Sequence, residues 1–220
     1  FKLQEWRRGE FVEYVKNQDY FVKDRPYLDG LKYVVIVERG TRTAALQSGQ
    51  LDIAMPGETT KTAAEQLKKA VPQLVVTPVA TSVTDNIVMN EKKPPFDNIK
   101  VRLAVSYAID RRALIKGALQ GGAVPAVAMM PKPYGVWGLL DRDFAALPGY
   151  GKPADMKEQA KKLMAEAGYG PGKPLRVEMV TRAIAVYVDM ASFVINELKL
   201  VGTEATLRQV ETAQWHPMAA

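Results

Sequence analysis

Apolar residues along this chain switch between two spacings, and each switch marks an element. Val101, Ala104, Val105, Ala108 and Ile109 recur at helical spacing after the turn at Pro94 and Pro95. Asp110 then stands where a second helix needs an N-cap, ahead of Leu114, Ile115, Ala118 and Leu119. Met156, Ala160, Leu163, Met164 and Ala167 form the stripe of a helix that starts near Asp155 and Glu158 and stops at Gly168. The period falls to two at Leu175, Val177 and Met179, which predicts a strand over 175–180. Val186, Met190, Phe193 and Leu198 restore the helical period, and Ala205–Val210 reads as the next strand. Strand, helix and strand in this order imply a right-handed parallel crossover.

The first half is read the same way. Phe1–Trp6 and Phe11–Lys16 flank Arg7-Arg8-Gly9-Glu10 as the arms of a hairpin. Tyr33–Val37 is a continuous apolar run suited to a sheet covered on both faces. A helix is expected over Thr41–Ser48, stopped by Gly49, with strands at Leu51–Met55 and Leu74–Ala80. Between those strands Thr62 and Glu65 have capping-box spacing, and Pro72 closes the helix they open. Thr81–Asn90 looks extended and runs into the break Lys92-Lys93-Pro94-Pro95. A domain change fits here, and so does an ordinary strand and loop within one domain. Residues 121–151 show no period and contain four prolines among Tyr134, Trp137, Phe144 and Tyr150. Long irregular stretches of this kind are often functional.

Composition narrows the chemistry. With 47% hydrophobic and 25% charged residues over 220 positions, the chain can build a core. No apolar run approaches the roughly 18 residues of a membrane span. The start at Phe1, with no signal-like segment, suggests a processed or truncated product. The net charge of +6 is scattered and lacks a basic stripe interleaved with aromatics, so no nucleic-acid partner is expected. With no cysteine there is no disulfide, thiol nucleophile or thiolate metal site.

His216 is the only histidine and has no second His or Cys to share a metal with. Nor is there a Gly-x-Ser-x-Gly string for which it would serve as base. Asp141 and Asp143 are the closest acid pair in the irregular region, without a fixed common face. The glycines of Gly168-Tyr-Gly-Pro-Gly-Lys173 follow a helix and precede Pro174, so they make a cap and turn instead of a phosphate loop. What remains is binding.

Four strings carry a resemblance. Pro94–Arg112 (PPFDNIKVRLAVSYAIDRR) is similar to the start of the second lobe in the extracellular family 5, or peptide/nickel class, of solute-binding proteins that serve ABC importers. Phe1–Trp6 (FKLQEW), with Gly9, Asn17, Asp19, Tyr20, Phe21 and Pro26-Tyr-Leu-Asp29, resembles an earlier segment of that family. Thr41–Ala54 (TRTAALQSGQLDIA) and Ala160–Tyr169 (AKKLMAEAGY) match two more, and all four occur in the family's order.

The resemblance implies an α/β, two-lobed periplasmic-binding-protein-like fold of type II, here incomplete. Residues 1–88 would belong to the first lobe and 89–220 to the second, with the hinge at about 81–95. It implies a receptor that captures a peptide or similar small solute by hinge closure and hands it to the membrane permease of an ABC transporter. The location would be periplasmic, or extracellular and membrane-associated; no cofactor follows. The family's acidic anchor for a peptide amine would lie beyond the segment resembling Thr212–Ala220. An α/β transferase or hydrolase, or a ligand-sensing domain, are the other functions such a scaffold carries.

Clefts of this kind gather a few polar groups among aromatics at strand ends. Tyr134 and Trp137 qualify, although both equally suit packing under a long loop. Thr181 and Arg182 follow the strand ending at Val180, where side chains emerge at a carboxyl edge. The Arg182 guanidinium suits a bidentate grip on a carboxylate, or simple solvation. Tyr187 suits stacking on a ligand or packing in a helix core.

Overall fold

A computed structural model describes residues 1–54, 60–78, 84–125, 143 and 147–219. The chain forms two compact units, one of Phe1–Thr59 with Ala63–Val75 and the other of Thr60–Thr62 with Val76–Ala220.

The first unit is built on an antiparallel sheet ordered β1 (Lys2–Arg7), β2 (Phe11–Val15) and β3 (Gly30–Val34). Arg7 pairs with Phe11 across a tight turn. In that turn Gly9 takes φ +82°, a left-handed conformation that costs glycine little. The apolar run expected as a doubly covered strand over Tyr33–Val37 behaves otherwise. Its strand is β3, antiparallel to β2, and Tyr33, Val34, Val35 and Val37 are all exposed. Its β-branched and aromatic side chains give the run its extended preference, but only a covering layer makes it buried.

Helix α1 spans Arg39–Gln47, and Gly49 follows at φ +74°. Its cap is Glu38, whose carboxylate accepts from the N–H groups of Gly40 (2.8 Å) and Thr41 (2.5 Å). These charge-assisted bonds hold the Glu38 pKa below its usual range. Helix α2 spans Lys61–Ala70, so Thr62 and Glu65 both lie inside it and do not form a capping box. The expected strands at 51–55 and 74–80 are also absent over their described residues, and the described part of 81–90 joins no sheet. A strand exists by pairing, and a short apolar run supplies no partner.

In the second unit, Asn98 caps α3 (Ile99–Ala108) and Asp110 caps α4 (Arg111–Gly117), accepting from Arg112 N–H at 3.1 Å and Ala113 N–H at 2.9 Å. The expected stripe is the buried one, with Val101, Ala104, Val105, Ala108 and Ile109 all in the core. Helix α5 (Pro153–Glu166) begins two residues before Asp155, with Pro153 in its first turn. It adds Ala160 and Met164 to the same cluster. The Gly168–Lys173 segment is a turn, closed by reciprocal backbone bonds between Gly170 and Lys173 of 3.0 and 2.9 Å.

Strands β4 (Leu175–Arg182) and β5 (Thr203–Val210) pair in parallel through α6 (Ala185–Lys199). Leu175, Val177 and Met179 face the core. On the other face Arg176 bonds Glu204 at 2.8 Å and Arg208 bonds Glu178 at 2.9 Å. The buried stripe of α6 is Met190, Ala191, Val194, Glu197 and Leu198, rotated from the expected one so that Val186 and Phe193 are half-buried. Glu197 explains the rotation. Its carboxylate accepts from the Asp110 N–H (3.0 Å) and from Lys157 Nζ (3.1 Å), tying α6 to the α3–α4 junction and to α5.

A second fixed point lies at the end of α3. Arg111 Nη1 donates to the carbonyls of Ser106 (3.1 Å) and Gly149 (2.8 Å), and its guanidinium lies 4.4 Å from the Tyr150 ring centre. Gly149 has φ +84°, and a Cβ there would stand 2.7 Å from the Ser106 carbonyl oxygen, so only glycine fits.

Candidate functional site

The carboxyl edge of the parallel pair brings together what lies far apart in sequence. Arg182 is in register with Val210, so both strands end at one level. The chain leaves β4 by a tight turn, with Ala183 N–H donating to Val210 O (2.8 Å) and Ile184 N–H to Arg182 O (2.7 Å). Helix α6 starts at once, and α7 (Thr212–Ala219) starts just as promptly after β5. Two strand ends and two helix starts therefore share one edge.

Three side chains meet there. The Arg182 guanidinium carbon lies 4.4 Å from the centre of the Tyr187 ring, in the first turn of α6. It lies 5.6 Å from the centre of the Trp215 ring, in the first turn of α7. Each cation–π contact is worth about 0.5–1 kcal/mol at a partly exposed site. Together they fix where the charge sits while occupying ring faces and not the N–H donors. Among the described residues no hydrogen bond or ion pair reaches this guanidinium, so its fork of donors is free to accept an anionic group.

The charge of Arg182 also acts on one carboxyl. Protein around the Asp85 carboxyl raises its pKa above the ordinary carboxylate range, and the positive charge of Arg182 pulls it part of the way back. Asp85 is exposed as a residue. The neighbouring backbone is held by Asn86, whose amide donates to the Thr84 carbonyl (3.3 Å) and hydroxyl (3.2 Å).

Of the expected residues, Arg182 and Tyr187 are in contact. Thr181 pairs with Gln209 one step earlier on β4, and strand alternation turns it to the opposite face of the sheet. Tyr134 and Trp137 lie outside the described residues. Sequence reasoning passed over Trp215 and Asp85. The repeated strand-end and helix-start pattern at Val210–Thr212 could have indicated Trp215, whereas nothing local marks Asp85.

The mixed α/β fold is that of the periplasmic binding proteins. The murein tripeptide binding protein MppA of Escherichia coli superposes with a TM-score of 0.77 at 25% identity, over 98% of this chain and 41% of that one. The oligopeptide-binding protein AppA of Bacillus subtilis, in complex with a nonapeptide, gives 0.72 at 27% identity, over 98% and 42%.

The family of bacterial extracellular solute-binding proteins, family 5 (Middle), matches residues 1–219, and the chain belongs to it. Glutathione-binding protein GsiB of Salmonella paratyphi A is 32% identical over 172 residues, which are 78% of this chain and 31% of that protein. By sequence, AppA of Bacillus subtilis is 30% identical over 228 residues, or 96% of this chain and 39% of that protein. The chain thus spans less than half the length of these relatives. The family and these relatives are binding proteins, not enzymes.

Proposed function

We propose that this chain is part of a solute-binding receptor that captures a peptide or a similar small solute and delivers it to the membrane permease of an ABC importer. Residues 1–88 contribute to the first lobe and 89–220 to the second, with the crossover at about 81–95. Ligand drives closure because it touches both lobes only in the closed state, and the stabilisation equals the difference in its contacts between states. The receptor works in the periplasm, or outside the cell and associated with its membrane, and catalyses no reaction.

The observation that carries this reading is the Arg182 guanidinium, beside the rings of Tyr187 and Trp215 at a parallel-strand edge, with no hydrogen bond or ion pair to its donors among the described residues. Such a fork matches a carboxylate in geometry and charge. The names of the relatives, glutathione-binding and oligopeptide-binding, concern molecules of the kind that carry one. Tyr187 and Trp215 orient the fork, and Tyr134 and Trp137 are proposed as further ligand contacts.

The test begins with mass spectrometry of the small molecule that co-purifies with the full chain, followed by calorimetry. Arg182→Ala should weaken an acidic or peptide solute about tenfold or more, since a charge-assisted bond is worth about 1.5–3 kcal/mol. Unchanged affinity across several carboxylate-bearing solutes would remove Arg182 from the site. Turnover of the solute instead of its capture would overturn the receptor reading.

A further inference from the structure

Two cations stand near one another on the outer face of the β4–β5 pair, and the solute anchor uses only one. We propose that Arg208 is a second anion anchor beside Arg182 and a specificity-determining residue, favouring a peptide that ends in an acidic residue. This rests on the reading of Arg182 as the seat of the solute carboxylate.

Register and alternation bring the two together. Arg182 stands opposite Val210, and Arg208 stands opposite Val180, two residues back along the strands. Alternate side chains share a face, so Arg182, Val180 and Glu178 lie on the same side as Val210, Arg208 and Thr206. The bond from Arg208 Nε to Glu178 Oε1, at 2.9 Å, is made across that face. Two residues of rise and one strand spacing separate the Cα atoms of Arg182 and Arg208 by roughly 8 Å. Each arginine has a valine across from it, so the gap between the two charges has an apolar floor. The face continues into an open hollow of about 450 Å³ lined by Arg176, Val177, Glu178, Glu204 and Thr206.

Arg208 is held in place without being used up. Glu178 takes only its Nε–H, and the two side chains are 44% and 50% exposed. Among the described residues the terminal amino groups of Arg208 make no hydrogen bond or ion pair. Arg176 makes a like bond to Glu204 at 2.8 Å, but it lies about 20 Å from Arg182 along β4. That is too far for the two acids of one residue.

A C-terminal Glu or Asp carries two carboxylates on one short aliphatic stem. With its main-chain carboxylate in the Arg182 fork, its side-chain carboxylate reaches the open donors of Arg208 and its stem lies over Val180. Glu178 opposes this, because it already places one negative charge beside Arg208. Two positive charges against one negative still leave the face attractive to the second acid. An ordinary surface ion pair would support the sheet alone and leave solute preference untouched.

The test is calorimetry of the full chain with Ala-Ala-Glu and Ala-Ala-Gln, which share the main-chain carboxylate and differ by one charge. The wild type should prefer Ala-Ala-Glu by about two- to fivefold, the scale of an ion pair at a half-exposed site. Arg208→Gln should abolish that preference by weakening Ala-Ala-Glu, Arg208→Lys should keep part of it, and Glu178→Gln should widen it. Arg182→Gln should weaken both peptides. No preference in the wild type, or one that survives Arg208→Gln, would overturn the inference while leaving Arg182 as the anchor. If Arg182→Gln weakens neither peptide, the anchor reading falls and this inference with it.

If neither tripeptide binds, the peptide reading fails by itself, and the two-arginine face is decided with glutarate against its monoamide. The Nε–H signals of Arg182 and Arg208 should then both shift in NMR titration with glutarate at lower concentration than with the monoamide. Equal responses to the two compounds, or none, would refute the second anchor.

Discussion

The two units spend similar apolar sequence very differently. In the second, α3, α5, α6 and the β4–β5 pair converge on one contiguous cluster, with Val101, Ala104, Ala108 and Ala160 wholly inaccessible. In the first, helices α1 and α2 each bury one residue, Ala45 and Leu67. Its large side chains look outward, Trp6 at 65% exposure, Phe21 at 86% and Val37 at 89%. Leu3, Trp6, Val12 and Tyr14 line a shallow apolar hollow on one face of its sheet. Hydrophobic content is thus no measure of a core. A core forms where helices cover a sheet face and interlock with it, because burial, not apolar character, supplies the free energy.

The sharpest break of that comparison pairs one substitution in each unit. Met164 is 1% exposed in the centre of the cluster. Met164→Ala should cost about 2–5 kcal/mol, read as a fall in the urea midpoint. Trp6→Ala should change stability by only about 0.5 kcal/mol. A comparable loss from Trp6→Ala would mean that the first unit also depends on its sheet face for stability.

Glu197 comes next. Replacing it with Leu leaves the Asp110 N–H and Lys157 Nζ without their acceptor inside the second unit. We expect a loss of about 2–3 kcal/mol, close to the cost of stranding buried polar groups. Glu197→Gln, which keeps an acceptor oxygen, should lose less. Equal losses in the two variants would show that Glu197 acts through volume and not through its bonds.

A smaller effect is expected at the helix junction. Asp110→Ala removes the oxygen that accepts from Arg112 and Ala113, and the loss of a helix cap costs about 1 kcal/mol. Asp110→Ser should recover most of it in the same denaturation assay.

The least effect belongs to the first unit and concerns acid. The folded-state pKa of Glu38 lies below its ordinary value of 4.5, so the carboxylate supports α1 at higher pH. That support is complete above 4.5 and is lost as pH falls through the lowered folded value. Amide exchange in α1 should therefore accelerate, relative to α3, as pH drops below 4.5, and Glu38→Gln should remove that dependence. An unchanged pH profile in Glu38→Gln would rule out the cap as its source.

Sequence pattern was most legible where local rules and burial agree. The stripe from Val101 to Ile109, the Asp110 cap, the Gly168 stop and the Leu175–Met179 alternation each need only neighbours within one or two turns. Those residues therefore declare themselves. The apolar runs at 33–37, 51–54 and 74–78 do not, because pairing and covering depend on other segments and are not written in the run itself.

The same division runs through the candidate site. Arg182 and Tyr187 could be named from a strand end followed by a helix, whereas Trp215 enters only because parallel register sets Val210 beside Arg182. Sequence by itself determined the family, through the resemblance of whole strings, and also most helices of the second unit and the β4–α6–β5 order, which rest on local spacing. Tertiary structure alone decided which apolar faces are covered, that Glu197 is buried, and that Arg182 lies between two rings. Those outcomes depend on contacts between residues tens of positions apart, which no local pattern encodes.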